Sequence, residues 1–257
     1  MTSLFLAWQS PVQMRRWYPI GRLEADPAAC HYCFWYTQGA QLAAQEAGWR
    51  PLEAFPYLGW RYEADELFPL FRNRVLSPTR EEYAEYLKLL DLRPEEADPL
   101  TLLALTGGRR QTDNLEVFPK LEAGADRSFR CRFFLRGWRR TTQAAQARLA
   151  ELGADEPLRV AVRRDGPAME PAVELRIEES PGRPRDAHVV GWAPRYVAEV
   201  LAPAAGGAAG AQARLVRRNP PGAPTHQRFL IELTGQWPEG HEPMTGEEFN
   251  SIRDWAV

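Results

Sequence analysis

Residues 189–201 constrain this chain more than any other stretch. They read Val189-Val190-Gly191-Trp192-Ala193-Pro194-Arg195-Tyr196-Val197-Ala198-Glu199-Val200-Leu201. An apolar pair running into Gly-Trp predicts a buried strand that ends in a tight turn. Pro194 fits the first turn of a helix, where its missing N–H costs nothing. The residues after it predict a short amphipathic helix ending at Leu201. Arg195 and Tyr196 then lie near a helix N-terminus, where backbone N–H groups favour anions.

Charge points to the same region. The net charge of −2 hides an asymmetry: residues 1–126 carry 13 basic and 18 acidic side chains, 127–235 carry 18 and 11, and 236–257 carry 1 and 5. All the basic residues but Lys88 and Lys120 are arginines. The basic middle is where an anionic partner is expected. Within it Phe129, Cys131, Phe133 and Leu135 alternate with Arg130, Arg132 and Arg136, as in a strand with one apolar and one charged face. That row, with Arg139, Arg140, Arg163 and Arg164, can track phosphates or pair with acidic neighbours. Trp138, Trp192 and Tyr196 can stack on bases, at about 1–3 kcal/mol per base, or serve as core.

The 257 residues, 44% of them hydrophobic, suffice for one large domain or two ordinary ones. The pattern predicts an α+β protein of two domains. In the first, residues 1–121, strands are expected over 4–8, 16–24, 32–36 and 115–119. Helices are expected over 66–76 behind Asp65, from the Thr79…Glu82 capping box to about 90, and over 100–105 between Asp98-Pro99 and Gly107-Gly108. Residues 122–126 read as a linker. The second domain, 127–235, continues with a helix over 142–152, strands over 158–162 and 173–177, a flexible turn over 202–211, and a hairpin of 214–218 with 228–233. Residues 236–257 read as an acidic tail with a short helix at Thr245-Gly246-Glu247-Glu248-Phe249.

Nothing here spells catalysis. Cys30 and Cys33 form a CxxC without a second pair and read as strand residues in Cys30-His31-Tyr32-Cys33-Phe34-Trp35-Tyr36. His31, His188, His226 and His241 are scattered, and Ser77 and Ser128 have no nucleophile elbow. The expectation is a non-enzyme with no metal and no cofactor. No apolar run reaches ~18 residues, the opening Met1-Thr2-Ser3-Leu4-Phe5 lacks a basic lead, and three cysteines suit a reducing compartment. A cytoplasmic protein with no membrane contact is expected.

Two family resemblances follow. The opening strand ending in Trp8, Ile20-Gly21-Arg22-Leu23, Phe34-Trp35-Tyr36, Asp65-Glu66-Leu67-Phe68-Pro69-Leu70-Phe71-Arg72-Asn73 and Gly107-Gly108 before Leu115-Glu116-Val117-Phe118-Pro119 occur in that order. Over about residues 4–119 this resembles the N-terminal subdomain of HipA-type toxin kinases. The kinase core is missing. The resemblance implies a non-catalytic region that packs on protein partners, such as a HipA-like kinase, through residues 1–119. Gly137-Trp138-Arg139 and Gly191-Trp192-Ala193-Pro194-Arg195 resemble the HIRAN domain, over about 129–201 and as far as 235 at its widest. That is a small β-barrel-like module whose members bind DNA ends. It implies that DNA, single-stranded or an end, is held by Arg130, Arg132, Arg136, Trp138, Arg139, Arg140, Arg163, Arg164, Trp192, Arg195 and Tyr196. Where that family carries an Asn-Pro-Tyr-Asp-x-Asn-Ala type loop, this chain has Gly166-Pro167-Ala168-Met169-Glu170-Pro171-Ala172. Loss of selective 3′-end recognition is expected. Together these readings predict a DNA-binding accessory protein of a bacterial DNA-processing, defence or toxin–antitoxin system. The alternative is an antitoxin-like regulator that binds a HipA-type kinase or another protein and not DNA.

Overall fold

The computed structural model describes residues 1–12, 16–164, 170–178, 187–207 and 210–253. Among them are two antiparallel sheets and six α-helices, an α+β protein. Two compact units separate: Met1–Ala84 with Arg93–Lys120 and Met244–Val257, and Glu85–Leu92 with Leu121–Pro243. No helix among the described residues is long and apolar enough to cross a membrane.

The first unit holds β1 (Thr2–Gln9), β2 (Trp17–Asp26), β3 (His31–Tyr36), α1 (Gln38–Ala47), β4 (Arg61–Ala64) and α2 (Pro69–Arg72). Helix α3 (Tyr83–Leu90) begins in it, and α4 (Pro99–Thr106) and β5 (Leu115–Pro119) follow. The strands lie in the order β4-β3-β2-β1-β5. Alternation sends Leu4, Leu6, Leu23, Phe34 and Val117 into one core with Ala40 and Ala43 of α1 and Leu100 and Leu103 of α4. Helix α4 is bounded as expected. The Asp98 carboxylate accepts from the N–H groups of Leu100 and Thr101, and Gly107 closes the helix in the left-handed region at φ 75°.

Away from that core, the Phe5 ring lies 5.6 Å from Phe118 and meets Phe249 edge-on at 5.0 Å. Phe249 arrives with the last described residues. Gln38 N–H donates to Asn250 O at 2.8 Å, Ile252 N–H donates to Tyr36 O at 3.2 Å, and Ser251 bridges Thr37. Residues 244–253 of the acidic C-terminal stretch are thus part of the first unit.

Two helix expectations need correction. The helix expected over 66–76 is the single turn α2. Pro69 opens it, because proline is favoured at the first helical position and breaks an interior. The helix expected from Thr79 starts at Tyr83. Ser77 and Thr79 are instead held in a turn by their 2.9 Å hydroxyl contact and by Thr79 N–H donating to Ser77 Oγ.

The second unit holds β6 (Ser128–Phe134), α5 (Gln143–Glu151), β7 (Pro157–Arg163), β8 (Ala172–Glu178), β9 (Ala187–Trp192), α6 (Arg195–Ala205), β10 (Ala211–Arg218) and β11 (Phe229–Gln236). The order is β6-β11-β10-β7-β8-β9. The predicted hairpin is β10–β11, and Thr142 caps α5 by accepting from Ala145 N–H. Of the flexible turn expected over 202–211, residues 202–205 are helical instead, since α6 runs on past Leu201 and through Pro203 to Ala205, and Ala211 opens β10; residues 208 and 209 lie outside the described residues. The expected barrel does not close. Beyond the six-strand order, one antiparallel bridge joins Arg136, two residues past the end of β6, to Trp192 at the end of β9, in place of a ladder.

Candidate nucleic-acid interface

The bridge that stops short of closing a barrel organises the candidate site. Arg136 N–H donates to Trp192 O at 2.9 Å, and Trp192 N–H donates to Arg136 O at 3.0 Å. Two glycines permit this approach. A Cβ on Gly191 would lie 2.6 Å from Leu135 Cγ and 2.8 Å from Arg136 O. Gly137, at φ 66°, faces the indole: a Cβ there would lie 2.7 Å from Trp192 Cε3. The turn Gly137-Trp138-Arg139-Arg140 is therefore laid beside the end of β9. Three residues after Trp192, α6 begins with Arg195, and Val197 and Ala198 N–H donate to Pro194 O at its start.

This places Arg136, Trp138, Arg139, Arg140, Trp192, Arg195 and Tyr196 on adjoining elements. Arg136 Nη2 donates to Tyr196 Oη at 3.5 Å. Trp138 is half-buried, donates from Nε1 to Thr225 O at 3.1 Å, and packs edge-on to Phe229 at 5.2 Å and 85°. Trp192 and Tyr196 are half-buried, while Arg139, Arg140 and Arg195 are exposed. Among the described residues none of these three guanidinium groups meets a carboxylate.

The other predicted arginines are placed differently. Arg130 and Arg132 do point away from buried Phe129, Cys131 and Phe133. Both are matched by acids, however. Glu232 on β11 is buried and accepts from Arg130 and, at 2.7 Å, from Arg214. Burial alone would raise the Glu232 pKa; the bonds from Arg214 and Arg130 hold it below the usual carboxylate range. Arg132 Nη2 lies 2.7 Å from Asp91 Oδ2. Arg163 is 3.8 Å from buried Glu174, which Arg176 also binds at 2.6 Å. The strand stripe is thus largely neutralised. Arg164 is exposed, and residues 165–169 after it, with most of the 166–172 loop, lie outside the described residues.

Sequence reasoning missed Arg218 and Arg228. The Arg228 guanidinium lies over the Phe229 ring at 5.5 Å, the ring that Trp138 meets edge-on. Burial, and then the neighbouring Arg218, lower the Arg228 pKa. Neither arginine meets a carboxylate among the described residues. Their signal was in the sequence, since they flank the predicted hairpin loop from either side. The surface around Trp138 therefore carries more uncompensated positive charge than the predicted residues alone supply.

No family model matches the chain, and neither a curated protein nor a solved structure does.

Proposed function

We propose that the second unit binds the phosphate backbone of DNA, single-stranded or near an end, as the non-catalytic element of a bacterial DNA-processing, defence or toxin–antitoxin accessory protein. One observation carries this reading. Arg139, Arg140 and Arg195 are exposed and meet no carboxylate among the described residues around the Arg136–Trp192 bridge, whereas Arg130, Arg132 and Arg163 each meet an acid. Unmatched guanidinium groups beside half-buried aromatic rings are the elements of sequence-tolerant single-strand binding, in which charge follows the backbone and rings take bases. The resemblance of Gly137-Trp138-Arg139 and Gly191-Trp192-Ala193-Pro194-Arg195 to HIRAN modules supports the same assignment. Three free cysteines accord with a cytoplasmic setting. The test is fluorescence anisotropy of labelled single- and double-stranded oligonucleotides against the full chain over a salt series. Affinity that falls steeply with salt supports the proposal. No binding at low salt overturns it.

A second reading rests on the first unit. Tyr57 and Trp60 are 54% and 55% exposed, with ring centroids 4.4 Å apart. Paired exposed aromatics of this kind anchor protein interfaces, in line with an antitoxin-like regulator that takes a HipA-type kinase. Titration of such a kinase against the chain and its Tyr57→Ser/Trp60→Ser variant tests it. Kinase binding abolished in the variant would favour this reading, and kinase that binds neither protein would remove it.

A further inference from the structure

We infer that His31, Cys33 and Glu63 form a binding site for one zinc ion on the first sheet. In the register of β3 with β4, Cys33 stands opposite Glu63, with Phe34 opposite Tyr62 beside them. His31 is two residues before Cys33 and so shares its face of the strand. Phe34 lies in the hydrophobic core on the other face. The three donor groups therefore meet on the sheet face turned away from that cluster.

The distances suit a metal. One ligand atom from each residue lies within 4.8 Å of the other two. The His31 Nε2 is 3.4 Å from Cys33 Sγ. Zinc bonds of roughly 2.0–2.3 Å place tetrahedral ligands about 3.5 Å apart. An imidazole, a thiolate and a carboxylate form a borderline-soft donor set that suits zinc over magnesium or calcium. Three protein ligands leave a fourth position for water. Cys33 is buried, while His31 and Glu63 are exposed, so the ion has an open path from solvent.

One side chain already ties two of the ligands together. Arg61 Nη2 donates to Cys33 Sγ at 3.3 Å, and its Nε lies 3.1 Å from Glu63 Oε1. Arg61 thus holds the Cys33 sulfur and the Glu63 carboxylate beside one another and acts as a positioning residue behind the ligands. Glu24 stands opposite Cys33 on its other side, in β2. Glu24 is paired with Arg22 at 2.5 Å, and Glu63 is the carboxylate that meets Arg61. Cys30, the other half of the CxxC, takes no part: it is exposed and ends a 3₁₀ turn at φ 49°. The site comes from pairing across two strands, which the CxxC spacing does not describe. It is independent of the DNA-binding reading.

Cobalt(II) titration of the reduced full chain reads thiolate ligation directly, and competition with a chromophoric chelator reads zinc affinity. One equivalent of Co²⁺ is expected to give a thiolate charge-transfer band that vanishes in Cys33→Ser and persists in Cys30→Ser. His31→Ala and Glu63→Gln are expected to weaken zinc at least tenfold. Because Cys33 is buried, its serine variant can fail to fold. The exposed His31→Ala variant then decides by itself. Absence of the band in the wild type, its loss in Cys30→Ser, or unchanged zinc affinity in His31→Ala overturns the proposal.

Discussion

Arg136 and Trp192 each donate a backbone N–H to the other's carbonyl, at 2.9 and 3.0 Å, just past the end of β6 and at the end of β9. This one pair fixes the turn that bears Arg139 and Arg140 against the strand end that leads to Arg195. The positions of all three charges depend on it.

Substitution at the crossing should loosen this arrangement. Gly191→Ala brings a methyl within 2.6 Å of Leu135 Cγ and 2.8 Å of a backbone oxygen. A loss of about 1–3 kcal/mol is expected, the usual range for overpacking. Denaturant unfolding followed by tryptophan fluorescence measures it. An unchanged midpoint would show that the strands do not approach so closely.

The unmatched and the matched arginines should behave differently. The triple variant Arg139→Ala/Arg140→Ala/Arg195→Ala is expected to weaken DNA binding and to flatten the plot of log K against log salt by about 2–3 units of slope, roughly one for each phosphate that is no longer neutralised. Arg130→Ala/Arg132→Ala should leave the slope unchanged, because those charges already face Glu232 and Asp91. A reversed ranking would move the interface onto the face of β6.

Glu232 gives the fold a pH dependence. Its folded pKa is held below the ordinary 4.5. The stabilisation is therefore present above that value and is lost as pH falls through the lower, folded one. At neutral pH Glu232→Gln should cost about 1–2 kcal/mol, discounted because Arg130 and Arg214 remain accessible to water. The difference from wild type should close in acid. A gap that stays constant from pH 7 to pH 3 would mean that the carboxylate charge plays no part.

The thiols should separate by burial. Cys131 is buried, which pushes its pKa up to about 12, and Cys30 is exposed. At pH 8 a thiol reagent should label Cys30 in the native protein and reach Cys131 only after denaturant is added. Native labelling of Cys131 as fast as Cys30 would contradict the packing of β6.

The sequence revealed structure wherever a local rule was decisive. Alternation at Phe129 to Leu135, the helix start at Asp98-Pro99, and the hairpin around Asn219-Pro220-Pro221-Gly222 are all one-element signals, and the structure has each. Helix α1 gave little signal because alanines, small and ambiguous, form its buried side. Strand β4 is four residues long and exists through its pairing with β3. Around the candidate site, residue types were legible but partners were not. Only the register of β6, β11 and β10 brings Glu232 to Arg130 and Arg214, and that pairing decides which arginines remain available. The His31–Cys33–Glu63 group was hidden likewise, since Glu63 is thirty residues away along the chain and one strand away in the sheet.

Phe249, Asn250 and Ile252 return to the first sheet only after the chain has built the whole of β6 to β11. A ribosome therefore releases the opening strands long before it makes the residues that cover Phe5. During synthesis the first sheet waits with an aromatic face uncovered while the later strands emerge and pair. A gene fragment ending at residue 120 would freeze the protein in that unfinished state, and the missing ten residues supplied as a separate peptide are the natural complement to it.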